Sequence, residues 1–310
     1  MQLLPTTSKP IQIFYSYIAE DEKWQKKLET QLSGLHLDGL ICHWHHKLIE
    51  AGREQQREID EHLNTAHIFL LLVSPGFLAS DYCRNVEVKK ALERYEKSEA
   101  YVIPVILEHS DWKTSPFGKL QSLPRNGKPI CQWEASDAPL FNIAGEIRKI
   151  IEKLVAREWL NYGGTLYERK YYEKALSAFE NALKCDSGYV EAYNRMGDTY
   201  YAQHNDEEAL KAYESARKYD PRSTWAWYGI GNVYLRRKNY ESALDAFQQI
   251  TTIDPDNAWS ARAWYEQGNY SRDLIVHQRH LMLTREQLLQ AKRKKILLFF
   301  TMIKGSSMKN

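Results

Sequence analysis

Long apolar runs are missing from this 310-residue chain. The longest in its last part, ILLFFTMI from Ile296 to Ile303, has eight residues. A helical span needs about 20, so no membrane span is expected. Glycine and proline are sparse, at 15 and 10, which argues against a long flexible linker. An excess of one charge is also absent. The formal net charge of +2 gives no global attraction for nucleic acid or an anionic membrane, and no nucleic-acid partner is expected. The four cysteines, Cys42, Cys83, Cys131 and Cys185, form no CxxC pair, as suits a reduced, cytoplasmic protein. The opening MQLLPTTSKPIQIFYSY has no charged segment followed by an apolar core, so a signal peptide is not expected. No GxGxxG or GxxxxGK[ST] follows an apolar run, which removes the usual phosphate cradles. No GxSxG elbow is present either.

Self-similarity dominates the second half. Gly163, Gly197 and Gly231 stand 34 residues apart, as do Ala175, Ala209 and Ala243, and Phe179, Tyr213 and Phe247. Asp220–Pro221 and Asp254–Pro255 close two of the units. Small residues suit the close approach of two antiparallel helices, aromatic rings fill the gaps, and proline stops the second helix. This period resembles the tetratricopeptide repeat, and three repeats over residues 156–257 are expected. Such arrays hold a peptide or protein partner on a concave face, or serve as spacers or oligomerisation surfaces. Residues 258–310 are expected to supply a capping helix and a basic, then apolar, tail.

The first half alternates apolar runs with amphipathic segments. IQIFYSY, GLICHWH, AHIFLLLVS, YVIPVIL and KPICQW read as five strands, with helices between them. IFLLLV is apolar at every position, as expected of a strand covered on both faces. The alternation predicts a parallel, doubly wound sheet over residues 11–153, after a lead of residues 1–10. Strand order 2-1-3-4-5 would put a ligand crevice beyond the carboxyl ends of strands 1 and 3. Residues 18–22 and 75–82 bound that crevice, and the loop after strand 2 can reach it. The CHWHH cluster does not predict a metal site, because alternate residues of a strand face opposite ways.

Glu87 lies just past the second bounding loop, four residues after Cys83. With Ser80 as the expected N-cap, Val88, Ala91, Leu92 and Tyr95 form the buried stripe of a regular helix. Glu87 then falls about 80° from the centre of that stripe. On a flank it can face the crevice or be a solvated acid favoured by the helix dipole. Tyr17, Ile18, Gly52, Arg53 and Tyr82 are the other crevice candidates. Gly52 would permit a close backbone approach, and Tyr82 could stack on a ring.

FYSY, WHHKLIEAG and LLLVSPGFLASDYCRNVE, in this order, resemble the TIR (Toll/interleukin-1 receptor) domain in its bacterial form, here followed by tetratricopeptide repeats. The resemblance implies a flavodoxin-like sheet and, in many members, cleavage of NAD+ by a glutamate on the helix after strand 3, which is Glu87 here. It also implies that the loop His46, Lys47, Leu48, Ile49, Glu50, Ala51 and Gly52, called the BB loop, drives self-association that completes the active site. NAD+ would then be the substrate, with no cofactor and no metal, in a bacterial defence role. The rival reading is a non-enzymatic scaffold that binds other TIR domains. The bond to nicotinamide is weak because the leaving group departs neutral. A carboxylate near the ribose stabilises the developing positive charge, as in glycosidases.

Overall fold

The computed structural model describes residues 4–6, 8–133 and 137–255. The expected capping helix and tail at 258–310 lie outside them. The described residues divide into two compact units, with the break between Ser187 and Gly188.

The first unit holds a parallel sheet of β1 (Ile11–Ser16), β2 (Ile41–Trp44), β3 (Ile68–Val73) and β4 (Tyr101–Ile106) in the order β2-β1-β3-β4. Every residue of β3 is buried. Ile68, Leu70 and Leu72 pack on one face with Leu28, Leu32 and Leu35 of α1 (Glu22–Leu37) and Ile143, Ile147 and Ile151 of a later helix. Phe69, Leu71 and Val73 pack on the other face with Ile59 and Leu63 of α2 (Gln55–Thr65). Alternation within an all-apolar strand therefore feeds two cores, as a doubly wound sheet requires.

The expected fifth strand is not formed. Leu123 makes an isolated parallel bridge with Val105, and KPICQW turns into a 3-10 helix, Ile130–Gln132. The segment still lies along β4, since the Cys131 amide donates to the Leu107 carbonyl. Pro129 has no amide hydrogen to offer, so the ladder cannot run on through it.

Beyond β3 the chain forms α3 (Pro75–Ala79), capped by Ser74, whose hydroxyl accepts the Phe77 amide. A π turn, Cys83–Val88, then leads into α4 (Lys89–Glu96). Ser80 accepts the Cys83 amide at 3.3 Å, as an N-cap does. Val88 and Ala91 are buried, but Tyr95 is exposed, so the expected stripe is shorter than a regular helix predicts.

The last helix of the sheet continues past residue 153, as a helix leading into the repeats does. α5 runs unbroken from Asp137 to Glu168, and its end pairs with α6 (Tyr172–Cys185). The expected boundary at residues 153–156 therefore falls inside a helix. In the second unit α7 (Val190–Ala202) pairs with α8 (Asp206–Tyr219), and α9 (Thr224–Arg236) with α10 (Tyr240–Ile253). The repeated glycines face the repeated rings. A Cβ at Gly163 would come within 2.5 Å of the Phe179 ring, and one at Gly231 within 2.5 Å of Phe247. The period also appears in the backbone. Lys170, His204 and Lys238, 34 apart, have φ near +60° at the turn inside each pair. In each, the next amide reaches back to the carbonyl five residues earlier, the Schellman arrangement that ends a helix.

Candidate active site

The carboxyl ends of β1 and β3 carry a compact polar group. Ser16, the last residue of β1, is fully buried, and its hydroxyl donates to the Glu87 carboxylate at 2.5 Å. Ser74, just past β3, donates to the Asp21 carboxylate at 2.6 Å. Gly76 lies against Ile18, where an added Cβ would come within 2.5 Å of the Ile18 side chain. These contacts bind the loops after β1 and β3 to each other at the topological switch point.

Glu87 is not on a solvated flank. It is 3% exposed. The π turn that contains it has i→i+5 bonds, so each residue advances less than the 100° of a regular helix. The 80° offset shrinks by under about 20°, and the end of β1, through Ser16, covers the remaining flank. Burial pushes its carboxyl up to about 7, and the Ser16 hydrogen bond opposes part of that rise. At neutral pH this acid is therefore divided between its two protonation states. That behaviour suits either a general base or a charge stabiliser.

Two phenols share its surroundings. Tyr17 is buried and sits 3.2 Å from His45 Nδ1. Burial first, and then the nearby carboxylates Glu22, Glu29 and Glu87, push its hydroxyl up to about 12. Tyr82 is 41% exposed. Burial of its remainder, then Glu87, moves its hydroxyl up to about 12 as well. Both therefore stay protonated donors near the acid. Cys83 is buried, and burial pushes its thiol up to about 11, so it is an inert thiol rather than a nucleophile.

Ile18 is partly buried at the mouth of this group. Gly52 has φ +90° and nothing near its missing Cβ. Its left-handed backbone serves the turn, and the space beside it is open. Arg53 is exposed and lies 3.9 Å from Glu50 and 4.0 Å from Glu58. The loop after β2 begins as a 3-10 helix, His46–Leu48. His46 stacks at a tilt on Tyr17 with ring centroids 5.3 Å apart, which ties the loop to the end of β1. Lys47 bonds Glu22 at 2.6 Å. Ile49 packs on the core, whereas Leu48 is 51% exposed, and Glu50 and Ala51 are exposed too.

The remaining histidines of CHWHH are structural partners. His43 Nδ1 lies 2.9 Å from the Tyr15 hydroxyl, and burial pulls its ring down to about 4. Trp44 stacks on His62 at 4.4 Å. Sequence reading did not single out Ser16, Asp21 or Ser74. Ser16 sits inside FYSY, where its place at the last strand position was the available signal.

Residues 13–135 match the family model described as the TIR domain, and residues 194–258 match a model described as a tetratricopeptide repeat. An uncharacterised protein of Sinorhizobium fredii, y4lF, is 47% identical over 137 residues, which are 44% of this chain and 42% of that protein. The chain thus spans less than half the length of this curated relative. Similar solved structures include the Sgt2 repeat domain of Aspergillus fumigatus, with a TM-score of 0.37 and 20% identity over 40% of this chain and 82% of that one. The repeat domain of Arabidopsis OM64 has a TM-score of 0.36 and 16% identity over 39% and 98%.

Proposed function

We propose that this chain, a TIR domain joined to tetratricopeptide repeats, cleaves NAD+ when it self-associates, with Glu87 as the catalytic carboxylate. The observation that supports this most is a buried carboxyl with a pKa near 7 at the switch point of the sheet. Such sheets bind ligands there. In the proposed reaction the bond between ribose C1′ and the nicotinamide nitrogen breaks, and its electron pair leaves with neutral nicotinamide. Glu87 stabilises the positive charge left on the ribose. Water then adds at C1′ and gives up one proton through Glu87 to solvent, producing ADP-ribose. Capture by an atom of the same molecule would give a cyclic isomer.

Tyr17, Ile18, Gly52, Arg53 and Tyr82 are the proposed substrate neighbours, and residues 46–51 the assembly loop. Glu87 is 3% exposed in the single chain, so assembly has to open the site to substrate. A partner on the repeats would control that step in a defence response. The exposed Leu48 also supports the second reading, a scaffold that associates through the same loop without chemistry. The deciding measurement is nicotinamide release from NAD+ by concentrated or crowded protein, beside Glu87→Ala. Release by the parent and none by the variant is expected. Equal release removes Glu87 from the mechanism, and no release in any assembled state leaves the scaffold.

A further inference from the structure

The amino ends of the strands carry a second concave region, remote from Glu87. A cavity of about 820 Å³ opens where Lys9, Ile11 and Gln12 lead into β1 and His67 leads into β3, and the later turns of α5 form its other wall. Three residues of β1, Ile13 to Tyr15, separate its lining residue Gln12 from Ser16, about 13 Å along an extended strand. Nothing in the proposed chemistry uses it.

Its wall has two parts. One is cationic. Lys9, Arg94 and Arg169 face a single carboxylate, Glu158, which accepts a hydrogen bond from Ser8 at 2.7 Å. Arg94 is buried and committed to the Leu63 and Ala66 carbonyls and to Glu99, so it contributes charge rather than a contact. Lys9 and Arg169 are exposed, and among the described residues neither makes an ion pair. His67 also lines the cavity. Its Nδ1 accepts the Gln12 amide at 3.0 Å, which places the ring proton on Nε2. Burial, then Arg94, holds this ring below the usual histidine value, so it remains a neutral donor.

The other part is apolar. Tyr162, set edge-on to Trp159 at 6.0 Å, continues into Leu166 and Leu154. The volume is in the range of small-molecule sites. The lining thus combines an aromatic face, Tyr162, with two cations, Lys9 and Arg169, that a phosphate needs. We propose that this cavity binds a phosphorylated ring compound of mononucleotide size. Such a ligand would bridge the strand ends and the part of α5 that begins the first repeat pair, so its binding would bear on the join between sensing and catalytic parts.

The test is calorimetric titration of the full chain with ADP and, separately, with inorganic pyrophosphate. Saturable ADP binding with a Kd below about 1 mM is expected, weakening as salt rises. Lys9→Glu and Arg169→Glu should each weaken it at least about tenfold. Both positions are exposed, so the variants keep their fold, which circular dichroism checks. Tyr162→Ala should bring ADP down to the affinity of pyrophosphate, and Glu158→Gln should tighten both. Absence of saturable binding overturns the proposal. So does undiminished ADP binding by the charge-reversed variants, which would put ADP at the Glu87 crevice instead. Equal affinity of the parent for ADP and pyrophosphate overturns the part assigned to the ring.

Discussion

The Ser16 hydroxyl donates to the Glu87 carboxylate across 71 residues of sequence, at 2.5 Å and out of contact with solvent. It joins the last residue of β1 to the π turn after β3. Of the groups that shift Glu87, burial raises its pKa and Ser16 is the one that lowers it.

Ser16→Ala removes that opposing hydrogen bond, so Glu87 should ionise at still higher pH. For the parent, nicotinamide release should rise between pH 6 and 8 as Glu87 loses its proton through about 7. For Ser16→Ala the rise should move to higher pH, and release at pH 7 should fall. A pH profile of both proteins under crowding checks this. An unmoved profile would detach Ser16 from the acid.

Glu87 also sets a stability trend. Its folded pKa, about 7, is above the ordinary 4.5, so the folded state holds the proton more tightly. The contribution is fully present below pH 4.5 and is lost as pH rises through 7. Glu87→Gln keeps an acceptor for Ser16 but never ionises. It should therefore be more stable than the parent at pH 8, by up to about 3 kcal/mol, and nearly equal at pH 4.5. Urea denaturation at the two pH values gives the comparison.

Lys170 and Lys238 adopt φ +62° and +58° at exposed turns. Left-handed backbone costs a residue with a Cβ roughly 1–2 kcal/mol, partly offset by the greater unfolded entropy of glycine. Lys170→Gly and Lys238→Gly should each raise stability by up to about 1 kcal/mol. Thermal melts would show the gain as a higher Tm.

Gly231→Ala should act in the opposite direction. Its Cβ would meet the fully buried Phe247 ring at 2.5 Å, and overpacking of this kind costs about 1–3 kcal/mol. Phe247→Leu in the same chain should recover part of the loss, which a double-mutant cycle in denaturant would reveal.

Leu48 is exposed on the loop after β2. Leu48→Asp should leave the melting temperature unchanged and weaken self-association, seen by light scattering across a concentration series. Nicotinamide release should fall with it if assembly completes the site.

The sequence by itself determined the two-part architecture. Repetition every 34 residues specifies paired helices because small and aromatic residues must meet at each crossing, and Gly163, Gly197 and Gly231 do meet rings. The unbroken apolar run of β3 specifies a strand covered on both sides, and the two cores cover it. Tertiary structure decided the rest. Periodicity marks no boundary near residues 153–156, because α5 is helix on both sides of it. The fifth strand read as apolar, but pairing depends on amides that Pro129 does not possess, and the chain turns into a 3-10 helix after it. Glu87 shows the limit most clearly. Helical spacing leaves it on a flank, and the end of β1, packed on the π turn, covers that flank with Ser16. What covers a flank is set by surfaces that lie far away in sequence.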